Sequence, residues 1–485
     1  MRLCLTRQTP FGSPMWTYKI MRGGLRLAAR VFYRQIQVVG EENIAPEGQR
    51  AVMLAGNHPN SLLDPLLILA TTDRVVHFAA KDVLFKNPLL RQVLHAVGAV
   101  AVARVQDHGP GGGDNSGAFG QLSQVLAGGG AMGIFPEGLS HDGAELSKLK
   151  TGAARIAFDV VKRYDQPVDI VPCGLTYFAP KHFRSRVLVQ YGPPVTVGQA
   201  EVERWLRDER AEVIELTEKI DLAMRGLTVN ASDWETVRLL DAVRRLYQPP
   251  GISLWQRVEL ARRFNENYPK VKDLPIVEAF TARITAYQAR LDALQLSDRD
   301  LQRQFTLGEV TRRLYLFATD SLIWAPLAVP GLLLQTPVAA LIHWASPKVT
   351  PRRDVLGTTK FVLGIVTIPL FYGAFIGVGL VFGGPKWAVV VALLMLLSGY
   401  AALRTLEHGV RVRKMVATFW RMVSLRREVA ELRSERDVLQ LETIRLVDRL
   451  RPADLEPLFP RAPADNSAAH AGGSTVPLAP EVLVT

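Results

Sequence analysis

Cysteine is nearly missing from this chain of 485 residues: only Cys4 and Cys173 occur, far apart and in dissimilar contexts. Two isolated thiols cannot build a disulfide framework or a thiolate metal site, and a reducing compartment fits them best. Acid is missing from the first forty residues, which carry seven Lys or Arg. The Gly-rich stretch QDHGPGGGDNSGAFG (106–120) lacks the Gly-Lys-Ser/Thr ending of a P-loop. It therefore reads as a mobile loop, with an active-site flap as its functional version, and not as a phosphate cradle. No interleaving of aromatic and basic residues supports a nucleic-acid surface, although the formal charge is +12. Anionic lipid and phosphorylated substrates remain as what such a charge attracts.

With 48% hydrophobic residues, the chain is long enough for a large domain with accessories or for two to three domains. Residues 1–34 read as a basic amphipathic membrane-surface helix. At 100° per residue, Met21, Leu25, Ala28 and Phe32 fall on one face while Arg22, Arg26, Arg30 and Arg34 run along another. No apolar core with a small-residue cleavage site follows, which disfavours a signal peptide. From 35 to 200, strands at 51–55, 98–103, 131–135, 168–175 and 187–191 alternate with helices at 61–70, 88–96, 117–128 and 152–164. That alternation predicts an α/β domain with a mainly parallel sheet flanked by helices, its chemistry collected at strand ends.

Residues 201–320 read as a charged, helical soluble region. Three apolar segments follow at 321–345, 361–382 and 387–404. The last two approach the length needed to cross a hydrocarbon core of ~30 Å. Lys348, Arg352, Arg353 and Lys360 precede them and Arg404, Arg411, Arg413 and Lys414 follow, so 361–404 reads as a transmembrane hairpin with both ends, and the α/β domain, on the cytoplasmic face. Pro326, Pro330 and Pro337 break the helical pattern of 321–345, which reads as a re-entrant or interfacial segment. In 405–451, Leu425, Leu432, Leu439 and Leu446 repeat at seven, as in a short coiled coil that could join copies of the chain or in a solvated amphipathic helix. The Pro- and Ala-rich tail 452–485 has the composition of a disordered segment.

The chemistry centres on VMLAGNHPNSLLDPLLILA (52–70). Val52 to Ala55 reads as a strand, Asn57 to Asn60 as a turn, and Ser61 as the N-cap of the next helix. His58 then lies in a strand-to-helix turn, with Asp64 in the first helical turn folding back toward it. An imidazole held by a carboxylate is a general base for an alcohol nucleophile. The alternative is a capping pair, because Ser61 and Asp64 have that spacing. His77 and Asp82 form a decoy: they lie in a strand-like run at an odd separation, so His77 is assigned to packing. Arg104 ends the strand GAVAVAR, where a guanidinium can fork onto phosphate. Glu137 and Gly138 form a tight turn after the strand ending IFP, and Val171 and Pro172 end another.

Four blocks in order, NHPNSLLDP, GAVAVAR, FPEGLS and IVPCG, resemble the glycerolipid acyltransferase family over roughly residues 35–200. Two departures are visible: five residues separate His58 from Asp64 where the family usually has four, and Leu139 stands where Thr is common. The longer spacing, the stretch LTVNASDWETVRLLDAVRRLYQ (227–248) and the apolar C-terminal region resemble the fungal-type glycerol 3-phosphate or dihydroxyacetone phosphate acyltransferases. The resemblance implies the glycerolipid acyltransferase fold and a membrane-bound enzyme of phospholipid biosynthesis. In it His58 takes the acceptor's proton, Asp64 orients His58, Arg104 binds the acceptor phosphate, and Glu137 and Gly138 shape that site. Lys148 and Lys150, near a helix start, are further phosphate contacts by charge and position. No covalent nucleophile, cofactor or metal is expected. The co-substrate is an acyl thioester of coenzyme A or acyl carrier protein, and the partners are a phosphorylated glycerol acceptor and an anionic phospholipid membrane. Lysophosphatidic acid is the alternative acceptor, and a membrane-tethered scaffold is the alternative outside catalysis.

Overall fold

The computed structural model describes residues 15–86, 88–102, 116–302, 306–350, 352 and 355–459. Arg104, Arg353, most of the Gly-rich loop, Cys4 and residues 460–485 of the tail lie outside the described residues. The α/β part runs α1 (Met15–Phe32), β1 (Tyr33–Val39), β2 (Ala51–Gly56), α2 (Leu63–Thr71), β3 (Val76–Lys81), α3 (Pro88–Ala96) and β4 (Val100–Val102). It continues through α4 (Ser116–Ala127), β5 (Ala131–Ile134), α5 (Gly152–Tyr164), β6 (Val168–Tyr177), β7 (Ser185–Tyr191) and β8 (Val195–Val197). The sheet order is β1-β7-β6-β2-β5-β3-β4, with β8 also on β6. Only the pairings of β6 with β7 and β8 are antiparallel among the described strands. Two apolar clusters cover the two faces of this sheet, one built on α4, α5 and the helices after β8, the other on α1 and α2.

The Pro172 stretch does not end its strand as expected. β6 pairs with β8 through residues 168–170 and with β7 through 173–177. Proline, which has no N–H to donate, sits at the switch between those partners. The strand therefore continues to Tyr177, which enters the site below.

The basic N-terminal helix departs from expectation in the same direction. Leu25, Ala28 and Phe32, its apolar face by sequence, pack into the α1–α2 cluster together with the buried Tyr18 and Ala29. Arg22 and Arg26 reach the carbonyls of Asp73 and of Ala70 and Thr72 at the end of α2, and Arg26 also pairs with the Asp73 carboxylate at 2.9 Å. These two arginines are docking groups, although another face of the helix leaves Trp16, Ile20, Leu27 and Val31 exposed.

Beyond the sheet come α6 (Gln199–Arg207), α7 (Glu209–Arg225), α8 (Trp234–Tyr247), α9 (Leu254–Val271), α10 (Pro275–Ala293) and α11 (Asp298–Gln302). Next are α12 (Leu307–Val349), α13 (Leu356–Ser424) and α14 (Arg426–Leu450). The heptad stripe of α14 is used within the chain: Leu432 and Leu439 are fully buried, clustered with Phe280, Ile284 and Tyr287 of α10 and Leu246 of α8. Arg436, at the other seam position, is buried against Asp298 at 3.0 Å. This corrects the coiled-coil expectation, because the stripe has no free face to offer a second copy.

Helices α12 and α13 are long and apolar enough to cross a membrane, and they expose most of their apolar side chains. Gly384, with φ 74°, breaks α13 into two arms. The prolines of 321–345 do not break α12, contrary to expectation; it is one helix of 43 residues. Asp320 meets Arg404 and His408 on the second arm, Gln335 meets Tyr372 on the first, and Thr350 meets Thr359 at its start. Glu407, beside those second-arm residues, pairs with Arg184 of the sheet domain. Helix α12 thus lies across the hairpin, with its contacts at both ends drawn toward the sheet-domain end of α13.

Candidate active site

β2 and β5 are parallel neighbours, with Ala55 opposite Ile134, so the chain leaving each passes over the same sheet edge. His58 follows β2 and Glu137 follows β5. Asn57 holds the start of the His58 turn by pairing its side-chain amide with both the N–H and the carbonyl of Leu175, at 2.7 and 3.1 Å. The His58 ring stacks on Phe135, centroids 4.2 Å apart and planes 13° off parallel.

His58 Nδ1 lies 2.8 Å from Asp64 Oδ2. Asp64 is fully buried, and its carboxylate also accepts the Asn60 N–H at 2.8 Å and the Tyr177 hydroxyl at 2.5 Å. Burial pushes the Asp64 carboxyl up, and the bond with His58 is the first of several that pull against it. Because Nδ1 faces a carboxylate, it carries the ring proton, which leaves Nε2 free to accept one. The capping alternative fails: Ser61, at φ 51°, is in the left-handed region, and its N–H bonds Ser140 Oγ. Helix α2 begins only at Leu63, so the additional residue between His58 and Asp64 is taken up in the turn.

The Glu137 carboxylate is turned inward. It accepts the His58 N–H at 2.8 Å and the Ser147 N–H at 2.9 Å, and it meets His141 Nε2 at 2.5 Å. Glu137 is 3% exposed, and its carboxylate is engaged in fixing the His58 turn. This refines the expected substrate-binding role. Gly138 has φ 75°, and the Lys150 side chain lies over its missing Cβ. Lys150 and Lys148 are exposed just before α5. His77, by contrast, is buried with Nδ1 against the Gly98 carbonyl, in agreement with a packing role.

Two participants were missed. Tyr177 shares a face of β6 with Cys173 and Leu175, and strand parity from Cys173 would have found it. Its hydroxyl, pushed well up by burial and then by the charge of Asp64, stays protonated as a donor. Tyr177→Phe is expected to lower kcat about tenfold or more through the loss of one hydrogen bond to a charged group, measured as initial rates at saturating substrate. His141 joins Glu137 and Ser147 Oγ through Nε2 while its Nδ1 accepts the Gly143 N–H, so Nε2 carries its proton. Four residues from Glu137, it had only that spacing to mark it.

Cys173 is fully buried and burial pushes its thiol up, which leaves it inert as a nucleophile. Among the described residues no cluster of His, Cys, Asp and Glu is arranged to hold a metal ion. A carboxylate-held histidine at the carboxyl ends of parallel strands, with no polar partner on Nε2 among the described residues, is the arrangement that general-base activation of a hydroxyl requires.

The comparisons narrow that chemistry. The Acyltransferase family model matches residues 35–176, and the model for the glycerol-3-phosphate acyltransferase 2 C-terminal domain matches 239–455. Glycerol-3-phosphate O-acyltransferase 2 of Saccharomyces cerevisiae is 29% identical over 372 residues, 70% of this chain and 50% of that protein. Glycerol-3-phosphate O-acyltransferase 1 of the same yeast is 32% identical over 277 residues, 53% of this chain and 36% of that protein. A 1-acyl-sn-glycerol-3-phosphate acyltransferase of Borreliella burgdorferi is 27% identical over 29% of this chain and 53% of its own length. The solved structure of a 1-acyl-sn-glycerophosphate acyltransferase from Thermotoga maritima covers 43% of this chain and 78% of that one at 20% identity, with a TM-score of 0.32, too low to bear on the fold. The two domain matches, in this order, make the chain similar to the glycerolipid acyltransferases, each match covering less than half of it. Within them it resembles the fungal-type glycerol-3-phosphate subgroup, although it spans about half the length or less of the yeast relatives it matches.

Proposed function

We propose that the protein is a membrane-bound O-acyltransferase that moves a fatty acyl group from a thioester to the hydroxyl of glycerol 3-phosphate or dihydroxyacetone phosphate. The observation that carries this reading is the His58–Asp64 pair with Nε2 open beside a sheet edge. The acceptor oxygen attacks the thioester carbonyl while His58 Nε2 takes its proton, and Asp64 stabilises the imidazolium. As the tetrahedral adduct collapses, the carbon–sulfur bond breaks and the thiolate recovers the proton from His58. The donor is acyl-coenzyme A or an acyl carrier protein thioester, and the chemistry calls for no metal or redox cofactor. Lys148 and Lys150, exposed just before α5, are assigned to the acceptor phosphate, where charge near a helix start favours an anion, and Arg104, outside the described residues, is assigned to the same phosphate by the resemblance.

The sheet domain is assigned to the cytoplasmic face, because Lys348, Arg352, Lys360, Arg411, Arg413 and Lys414 cluster near the sheet-domain ends of α12 and α13. The exposed stripe Trp16, Ile20, Leu27 and Val31, flanked by Lys19 and Arg30, then rests on an anionic bilayer. Helix α12, lying across the hairpin with Leu322, Ile323 and Leu333 exposed, is assigned a re-entrant or interfacial course.

The acceptor is tested by competition. Labelled glycerol 3-phosphate converted to an organic-soluble product, in amounts that unlabelled lysophosphatidic acid does not reduce, supports this reading. A phosphorylated diacyl product formed from lysophosphatidic acid alone would replace it with the second acylation step.

A further inference from the structure

The segment that opens the apolar hairpin is latched onto the His58 turn. Thr358 is buried, and its hydroxyl donates to the Asn60 carbonyl at 2.7 Å, which the Leu63 N–H also bonds at 3.1 Å. Gly357 packs so closely that a Cβ there would stand 2.4 Å from the Pro180 carbonyl oxygen and 3.0 Å from Asn60 Oδ1. Nearby, Lys360 Nζ donates to the Lys181 carbonyl at 2.9 Å and Arg352 to the Ser140 carbonyl at 2.5 Å. Phe361 stacks edge-on against Phe32 at 5.3 Å. Asn60 is fully buried and gives its own N–H to Asp64 Oδ2, the oxygen that meets His58. Ser61, next in the chain, holds a left-handed conformation that a residue with a side chain keeps only when its surroundings impose it.

We infer that Thr358 and Gly357 are positioning residues through which the membrane hairpin holds the Asn60–Asp64–His58 unit in its reactive geometry. Neither touches the reacting atoms; they act through Asn60. Asn57, Glu137 and Ser140 hold the turn from the sheet-domain side, and the hairpin adds a constraint on Asn60 through the Thr358 hydroxyl and the close approach of Gly357. Seating of the hairpin is thereby coupled to turnover.

The test uses the full chain in lipid nanodiscs with Thr358→Val, which keeps the shape and removes the hydroxyl, and Thr358→Ser, which keeps the hydroxyl. Amide hydrogen exchange over residues 57–64 is read first, because it needs no substrate. Thr358→Val is expected to exchange roughly tenfold faster there, as follows from losing one buried hydrogen bond, with exchange in α8–α10 unchanged and Thr358→Ser near wild type. The kinetic arm rests on the acyl-transfer reading: kcat falls about tenfold with the acceptor KM unchanged, as for a misplaced catalytic group. Wild-type exchange over 57–64 in Thr358→Val overturns the latch, as does a loss of kcat that Thr358→Ser shares. Absence of transfer in the wild-type protein would instead overturn the proposed activity, and the exchange arm would still decide the latch.

Discussion

His58→Ala is expected to lower acyl transfer by about 100- to 10,000-fold, the usual contribution of a positioned general base, while membrane partition and thermal unfolding stay near wild type. The fold should tolerate the change because the ring is partly exposed, bonded to Asp64 and stacked on Phe135. Asp64 would keep the Asn60 N–H and the Tyr177 hydroxyl. His58→Gln, which retains an N–H for Asp64, is the control: it should be as inactive as alanine, since an amide cannot accept the proton. Initial rates beside a melting curve distinguish a lost base from a lost fold.

The second large effect belongs to Asp64→Asn, which preserves shape and removes charge. Both carboxylate oxygens accept bonds, Oδ2 from Asn60 and His58 and Oδ1 from Tyr177. An amide must place its NH2 against one of these donors. Facing His58, it turns the ring so that Nε2 is the protonated nitrogen, and the base is blocked. A fall in kcat of about 100-fold or more is expected, together with a stability loss of about 1 to 3 kcal/mol for an unpaired buried donor. Comparing kcat with KM checks the assignment: a rise in KM alone would make Asp64 a binding group.

Much of the site was legible because its parts are local. His58 and Asp64 share one turn, and β2 and β5 are read from apolar runs whose parallel pairing brings Glu137 to the same edge. What was not legible depends on long-range packing. Glu137 turns inward because the N–H groups of His58 and Ser147 and the His141 ring need an acceptor there. The Tyr177 bond to Asp64 spans 113 residues and was hidden by reading Pro172 as a strand end. The heptad of α14 was a true apolar stripe, but periodicity does not name the partner, and α8 and α10 of the same chain cover it. Likewise Arg22 and Arg26 looked like lipid contacts until the end of α2 supplied carbonyls and a carboxylate. The prolines of α12 carry a local helix penalty that does not break the helix when it packs across α13.

The central claim is that the open Nε2 of His58 activates a glycerol phosphate hydroxyl against an acyl thioester. It is tested most directly by thiol release from palmitoyl-coenzyme A, with glycerol 3-phosphate, dihydroxyacetone phosphate or lysophosphatidic acid supplied separately and acyl carrier protein thioester as a second donor. Release that depends on glycerol 3-phosphate or dihydroxyacetone phosphate and disappears in His58→Ala is the predicted result. Release by the His58→Ala protein at the wild-type rate, or silence of the folded wild-type protein with every donor and acceptor, would contradict it.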